Sequence, residues 1–518
     1  MSVIDALAKH AIATPNKIAV SLNGKKIDYA TLYHRAEALR HNLFNLKKIH
    51  PQRFGIPEDG RLVLLALPNH FRFVEIFVGG SASPHCVAVL SVMLPRNQIE
   101  EIMRRLTPDI TICEDEDCIV AETARAIGLP VFYVNAKSND LSSYENFIEN
   151  GVIKKTIADL PESPFFIGFT SGTTGLPKAF IRTRDSWRKS LLTGRTLFDL
   201  KNLHHVVAPG PLAHGVSLYA LIETLDSGLT FDGVRKFDCD TVLEQLKTAD
   251  RFVGVPTMLS ELKQRAQRLG LTFPNLKQLV TGASKFDRQH YANARALFPN
   301  AKILQYYGAS ELSFVAINEM TPETVDQGGL MSPVGKAFPG VHITIRDENS
   351  CPLETGKIGT IFVESDLIAS RYLWGDNGKS FVQTDHGATV GDLGMIDKDG
   401  HLFVMGRAGG MIISGGNNIY LAEIELALKT IEGIQDATAF GMPDSTYGER
   451  LVAVVSFVKG TRLTDKELRG KCLPLMEKFK IPKNFYSVEN WPMTWSGKIA
   501  RLEVRKMVEQ NAARLKRL

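Results

Sequence analysis

The apolar run Phe165-Phe166-Ile167-Gly168-Phe169 opens without a break into Thr170-Ser171-Gly172-Thr173-Thr174-Gly175-Leu176-Pro177-Lys178. The first segment reads as a buried strand. The second packs two glycines, four hydroxyls and a lysine into nine residues. Glycine lets backbone N–H groups approach a ligand closely. Consecutive N–H groups, hydroxyl donors and an ammonium together cradle phosphate. The stretch is not a Walker A loop, which places four residues between its glycines and Lys directly after the second. Here two residues separate Gly172 from Gly175, and Leu176-Pro177 precedes Lys178. A surface turn can share this composition, so the rest of the chain must decide.

At 518 residues the chain exceeds one hydrophobic core and implies at least two domains. With 44% hydrophobic and 23% charged residues it is an ordinary globular composition. A net charge of +5 from 61 basic and 56 acidic residues is too balanced to argue for nucleic acid or a membrane surface as partner. The six cysteines are scattered, and Cys113 with Cys118 completes no zinc pattern. Reduced thiols in a cytoplasmic protein are expected. Met1-Ser2-Val3-Ile4-Asp5 has no basic region leading into an apolar run, so no signal peptide is expected. The most apolar stretch, 74–94, is interrupted by Gly79, Gly80, Pro84 and His85. No integral membrane association is expected from it.

Asn23-Gly24 between two short strand patterns predicts a hairpin. Apolar spacing over 29–46 predicts a helix, and the continuous run at 62–67 predicts a parallel strand covered on both faces. Helical and strand patterns then alternate through 71–78, 87–90, 99–106, 110–113 and 131–134. This is a βαβ rhythm. The polar stretch 135–159 reads as a connecting loop. Strand patterns at 252–254 and 279–281 run into Pro256-Thr257 and Gly282-Ala283-Ser284. Small residues there either leave room for a ligand at a strand end or simply make tight turns. Residues 335–345 and 358–363 are strand-like and suggest a β subdomain. From 423 onward the pattern is a small α/β domain, with helices at 423–430 and 465–476 and strands at 436–441 and 451–458.

The phosphate-binding stretch resembles that of the adenylate-forming family: acyl-CoA synthetases, luciferases and the adenylation domains of peptide synthetases. The family pattern is (S or T)-S-G-T-T-G-x-P-K-G. The chain follows it through Lys178 and then has Ala179 in place of Gly. Four further stretches match in the family's order. Pro211 to His214 is similar to P-x-x-H, whose His lies at the carboxylate end of the acyl pocket. Tyr307-Gly308-Ala309-Ser310-Glu311 is similar to Y-G-x-T-E, with Ser310 keeping the hydroxyl of Thr. Val390-Gly391-Asp392 resembles T-G-D, with Val390 replacing Thr. Pro492 to Arg501 matches P-x-T-x-x-G-K-x-x-R at Pro492, Thr494, Gly497, Lys498 and Arg501.

The resemblance implies an α/β fold: a large multi-layer N-terminal α/β domain with a β subdomain, residues 1–406, and a small mobile α+β domain, 407–518. It implies ATP contacts at Thr170, Ser171, Gly172, Thr173, Thr174, Gly175, Lys178, Tyr307, Gly308, Ser310, Asp392 and Arg407. Tyr307 would stack on adenine, Asp392 would accept from the ribose hydroxyls, and Mg²⁺ would sit on Glu311 with Thr170. Lys498, Glu311 and His214 would be the catalytic residues. His214, Gly215, Gly282 and Ala283 would line the substrate pocket, and Gly416 a thiol tunnel. Relatives place a hinge Asp where this chain has Gly409, followed by Gly410. The implied reaction is ATP-dependent ligation of a carboxylic acid to coenzyme A through an acyl adenylate. Loading of a phosphopantetheinyl carrier protein in trans is the alternative. Gly215 stands where amino-acid-activating relatives often carry Asp, and Val216 to Ile222 is mostly apolar. An uncharged fatty, medium-chain or aryl acid is therefore expected, because an unpaired ammonium is costly to bury.

Overall fold

The computed structural model describes residues 3–50, 53–136, 142–149, 158–170, 176–282, 286–326, 333–376, 378, 381–407, 410–414, 417–444, 448–494 and 499–518. Backbone contacts divide the chain into two compact units. The first holds Met1–Thr321, Phe338–Val341 and Glu364–Phe381, and the second holds Pro322–Ala337, His342–Val363 and Val382–Leu518.

The first unit is built on two sheets. In one, strands run in the order Arg371–Trp374, Lys178–Thr183, Pro164–Thr170, Cys86–Val89, Leu62–Ala66, Ile110–Cys113, Val131–Tyr133. The five from Pro164–Thr170 to Val131–Tyr133 are parallel. Leu62–Ala66, Cys86–Val89 and Ile110–Cys113 are buried at every position. That is why they read as unbroken apolar runs, since helices cover both faces of a parallel sheet. The second sheet carries His205–Val207, Arg251–Gly254, Gln278–Thr281 and Lys302–Ala309 side by side and parallel, with Ser313–Glu319 antiparallel beside Lys302–Ala309. The Ile18–Leu22 and Lys25–Asp28 hairpin forms around Asn23-Gly24 and joins its other side. Both residues of that turn have positive φ, the setting a two-residue hairpin requires.

The second unit has an antiparallel sheet containing Gly359–Glu364, Asp392–Ile396 and Leu402–Arg407. A separate sheet in the same unit is led by the long hairpin Ile434–Asp444 and Gly448–Phe457, with Asn484–Val488 parallel beside it. Helices Leu421–Lys429 and Asp465–Cys472 pack on that sheet through Ile424, Leu428 and Leu468. Among the described residues no helix is long and apolar enough to cross a membrane.

Three elements differ from expectation. Within 135–159 a helix forms at Tyr144–Glu149. Its polar composition hides it, because tertiary contacts hold it: Glu145 pairs with Arg35 at 2.9 Å and Arg72 at 2.8 Å, and Asn42 donates to the Phe147 carbonyl. The strand expected over 335–345 breaks into Lys336–Ala337 and His342–Arg346. Pro339-Gly340 turns the chain between them, with Gly340 at φ +78°. The helix expected over 465–476 stops at Cys472, since Pro474 has no N–H to continue it.

One buried ion pair ties helix Gly215–Asp226 to the second sheet. Arg251 on its strand donates to Glu223 on that helix at 2.6 Å, and each side chain is only 2% exposed. The Arg251 guanidinium also lies over the Phe198 ring. Burial pushes the Glu223 carboxyl upward and Arg251 opposes it. Removing one partner of such a pair is costly, because the other charge stays buried. Arg251→Met should lower the unfolding free energy by about 3–5 kcal/mol in urea titrations. With Arg251 gone, Glu223 keeps a proton in the folded state that the unfolded chain releases near its ordinary pKa. The loss should therefore grow as pH rises. A small, pH-independent loss would contradict this role.

Candidate active site

The strand Pro164–Thr170 and its antiparallel partner Lys178–Thr183 put Thr170 directly opposite Lys178. The two ends of the glycine-rich stretch are thus fixed to one another. Lys178 is only 7% exposed, although it is a lysine. Its ammonium stands over the Tyr372 ring, 5.6 Å from the centroid. On the other side of the stretch, the Trp374 indole N–H donates to the Pro177 carbonyl at 3.0 Å. Ser171, Gly172, Thr173, Thr174 and Gly175 lie outside the described residues.

Glu311 comes to the same place from the second sheet. It follows Lys302–Ala309 and is buried, 4% exposed. Its Oε1 accepts from the Thr170 hydroxyl at 3.4 Å and from the Tyr372 hydroxyl. The backbone is held too: the Ala369 N–H donates to the Glu311 carbonyl at 2.7 Å. Arg182 secures the neighbouring peptide, donating to the Ser310 carbonyl and to the Leu367 carbonyl, each at 2.6 Å. Burial pushes the Arg182 guanidinium down to about 10, and Glu311 opposes that shift. It therefore remains a cation at neutral pH. Thr170 and Glu311 together offer hard oxygen donors, the set that suits Mg²⁺.

Tyr307 and Gly308 sit near the end of Lys302–Ala309 and both are half-buried, while Ser310 is exposed. The register slips between Tyr307 and Gly308, and a Cβ at Gly308 would strike the Ser313 carbonyl. Only glycine permits that close approach. Gly282 follows Gln278–Thr281, and a Cβ there would sit 2.5 Å from the Tyr306 ring. Ala283 is outside the described residues. His214 precedes helix Gly215–Asp226 in extended conformation and is half-buried. Its loop is fixed by Asn69, which donates to the Gly210 and Val234 carbonyls and accepts from the Leu212 N–H.

In the second unit, Asp392 and Arg407 are cross-strand partners. On either side of the residues expected to carry the reactive lysine, Met493 pairs with Ile499, and the Ala500 N–H donates to the Pro492 carbonyl at 2.8 Å. Arg501 anchors it to Glu425 at 2.6 Å. Lys498, Gly409 and Gly416 lie outside the described residues.

Two site-forming side chains escaped the sequence reading, Arg182 and Tyr372. Arg182 had a signal, as a charge ending the apolar strand Lys178–Thr183. Tyr372 had none, because only the pairing of Arg371–Trp374 with Lys178–Thr183 brings it to Glu311.

The model of the AMP-binding enzyme family matches residues 7–373, and that of the AMP-binding enzyme C-terminal domain matches residues 423–498. The chain belongs to the AMP-binding enzyme family. It is an enzyme of the acid–thiol ligase kind, the AMP-forming acyl-CoA synthetases. It is 30% identical over 520 residues to an uncharacterized acyl–CoA ligase, YhfT, of Bacillus subtilis, covering 99% of each chain. It is 32% identical to a putative long chain fatty acid-CoA ligase, VraA, of Staphylococcus epidermidis, over 67% of this chain and 72% of that one. ATP-bound MatB from Rhodopseudomonas palustris shares the fold with a TM-score of 0.85 at 23% identity, covering 99% of this chain and 100% of that one.

Arg182→Met should cost roughly 3 kcal/mol of stability, since two carbonyls lose charge-assisted donors in a buried setting. Urea unfolding measures it, and a change under about 1 kcal/mol would mean that Arg182 does not hold the Glu311 loop.

Proposed function

We propose that the protein is an ATP-dependent carboxylic acid:CoA ligase acting through an acyl adenylate on an uncharged fatty, medium-chain or aryl acid. The observation that carries this is the buried Glu311 carboxylate beside Thr170, at the mouth of the hairpin that ends in Lys178. In the first step a carboxylate oxygen attacks the α-phosphorus of ATP and pyrophosphate leaves. In the second, the thiol of coenzyme A attacks the acyl carbon and AMP leaves. Negative charge moves in both, so positioning and electrostatic stabilisation supply the rate.

The roles follow from chemistry and family likeness. The hairpin from Thr170 to Lys178 would hold the ATP phosphates, with Tyr307 against adenine and Asp392 with Arg407 on the nucleotide. Glu311 and Thr170 would hold Mg²⁺, which would offset charge on the leaving pyrophosphate. Lys498 would meet the joining carboxylate and phosphate in the first step. His214, Gly215, Gly282 and Ala283 would receive the acyl group. Gly416 would border the path of the thiol. Residues 407–518 would swing between the steps about Gly409-Gly410, a pair without Cβ atoms that accepts large backbone changes at little cost. Gly215 in place of a carboxylate supports an acid without an ammonium.

Glu311→Gln should raise the magnesium concentration needed for pyrophosphate release far more than it lowers the melting temperature, since the cation prefers an anionic oxygen. Activity that falls only in step with stability would make Glu311 structural. Lys498→Ala should slow adenylate formation by at least about a hundredfold and leave thioester formation from supplied acyl adenylate near its normal rate. Equal damage to both steps would remove Lys498 from the first.

A further inference from the structure

Three neighbouring parallel strands of the second sheet carry a glycine at or next to their C-terminal ends, Gly254, Gly282 and Gly308. Helix Gly215–Asp226 starts with another. The space beside two of these glycines is filled by large rings, Phe252 at Gly254 and Tyr306 at Gly282. The Tyr306 ring lies against Gly282 and packs edge-on against Phe314, 4.9 Å between centroids. Phe314 packs edge-on against Tyr219, also at 4.9 Å, and Tyr219 against Trp187 at 5.6 Å.

Tyr219 stands four residues after Gly215 on the same helical face, and Glu223 four after that. The Tyr219 hydroxyl donates to the Ser190 hydroxyl at 3.2 Å. Phe314 also packs against Phe198, 6.2 Å between centroids, and the Arg251 guanidinium lies over Phe198 at 4.8 Å, so the ring cluster borders that buried pair. Tyr306 backs Gly282 and Tyr219 lies one helical turn beyond Gly215, so an acyl chain entering beside either glycine would meet a tyrosine ring. Displacing the rings would uncover a desolvated ion pair, which is costly.

We propose that Tyr219 and Tyr306 close the acyl pocket, so that the acid activated is a short-chain one. This rests on the ligase reading above and narrows its substrate. It sets the chain apart from the long-chain acids in the names of some relatives.

The test is acid-dependent exchange of labelled pyrophosphate into ATP over straight-chain acids from acetate to palmitate, for wild type, Tyr219→Ala and Tyr306→Ala, with circular dichroism to confirm folding. Each methylene that fits should raise kcat/KM by about fourfold, the equivalent of about 0.8 kcal/mol. The rise should stop at hexanoate or before in the wild type, and continue for several more methylenes in at least one folded variant. A wild-type optimum at decanoate or longer overturns the proposal, whether or not the variants fold. A short wild-type optimum that persists in both folded variants removes the two tyrosines as the closing residues. Exchange with benzoate alone, added as an aryl probe, would overturn the proposal and leave the ligase reading standing, and exchange with none of these acids would defeat that reading. Phe314→Leu, a milder change on the same ring cluster, serves if the alanine variants unfold, and should extend the optimum by a smaller step.

Discussion

A carboxylate taken almost wholly out of water must be compensated, and in this protein Glu311 is compensated by hydroxyls. Thr170 and Tyr372 both donate to one of its oxygens. Those two residues come from different strands of the first sheet, while Glu311 follows a strand of the second. The contact therefore requires both sheets to be complete and correctly placed. It also requires Arg182, a buried cation that spends its donors on the Ser310 and Leu367 carbonyls and not on the carboxylate itself. The Glu311 oxygens are left to hydroxyl donors, and with Thr170 they form the hard oxygen set that suits a cation such as Mg²⁺.

The rest of the first unit can be understood as support for that arrangement. Parallel strands end at one edge of each sheet, and ligands of open α/β sheets bind beyond the carboxyl ends of their strands. The strand pairing sets Thr170 opposite Lys178, at the two ends of the glycine-rich stretch. The glycines at 282 and 308 let the Tyr306 ring and the Ser313 backbone approach the neighbouring strand ends closely. A buried ion pair, Arg251 with Glu223, ties helix Gly215–Asp226 to the second sheet.

Much of this was legible in the sequence, because it depends on local pattern. The buried parallel strands at Leu62–Ala66 and Ile110–Cys113 are continuous apolar runs, and the Asn23-Gly24 hairpin needs only its turn chemistry. The motif around Glu311 was visible because spacing and residue type coincide. What could not be read depends on long-range pairing. Tyr372 reaches Glu311 across 61 positions, and nothing near it in sequence marks it. The Tyr144–Glu149 helix is stabilised by Arg35, Asn42 and Arg72, all distant in the chain. Local propensity was outweighed there by tertiary contacts.

The central claim is that the Thr170, Lys178 and Glu311 arrangement directs attack to the α-phosphorus of ATP. It is tested most directly by identifying the products in a reaction with a short-chain acid, coenzyme A, ATP and magnesium, followed by phosphorus NMR. The account predicts AMP and pyrophosphate in equal amounts, with matching thioester. Formation of ADP and inorganic phosphate would place the attack at the γ-phosphorus and contradict it.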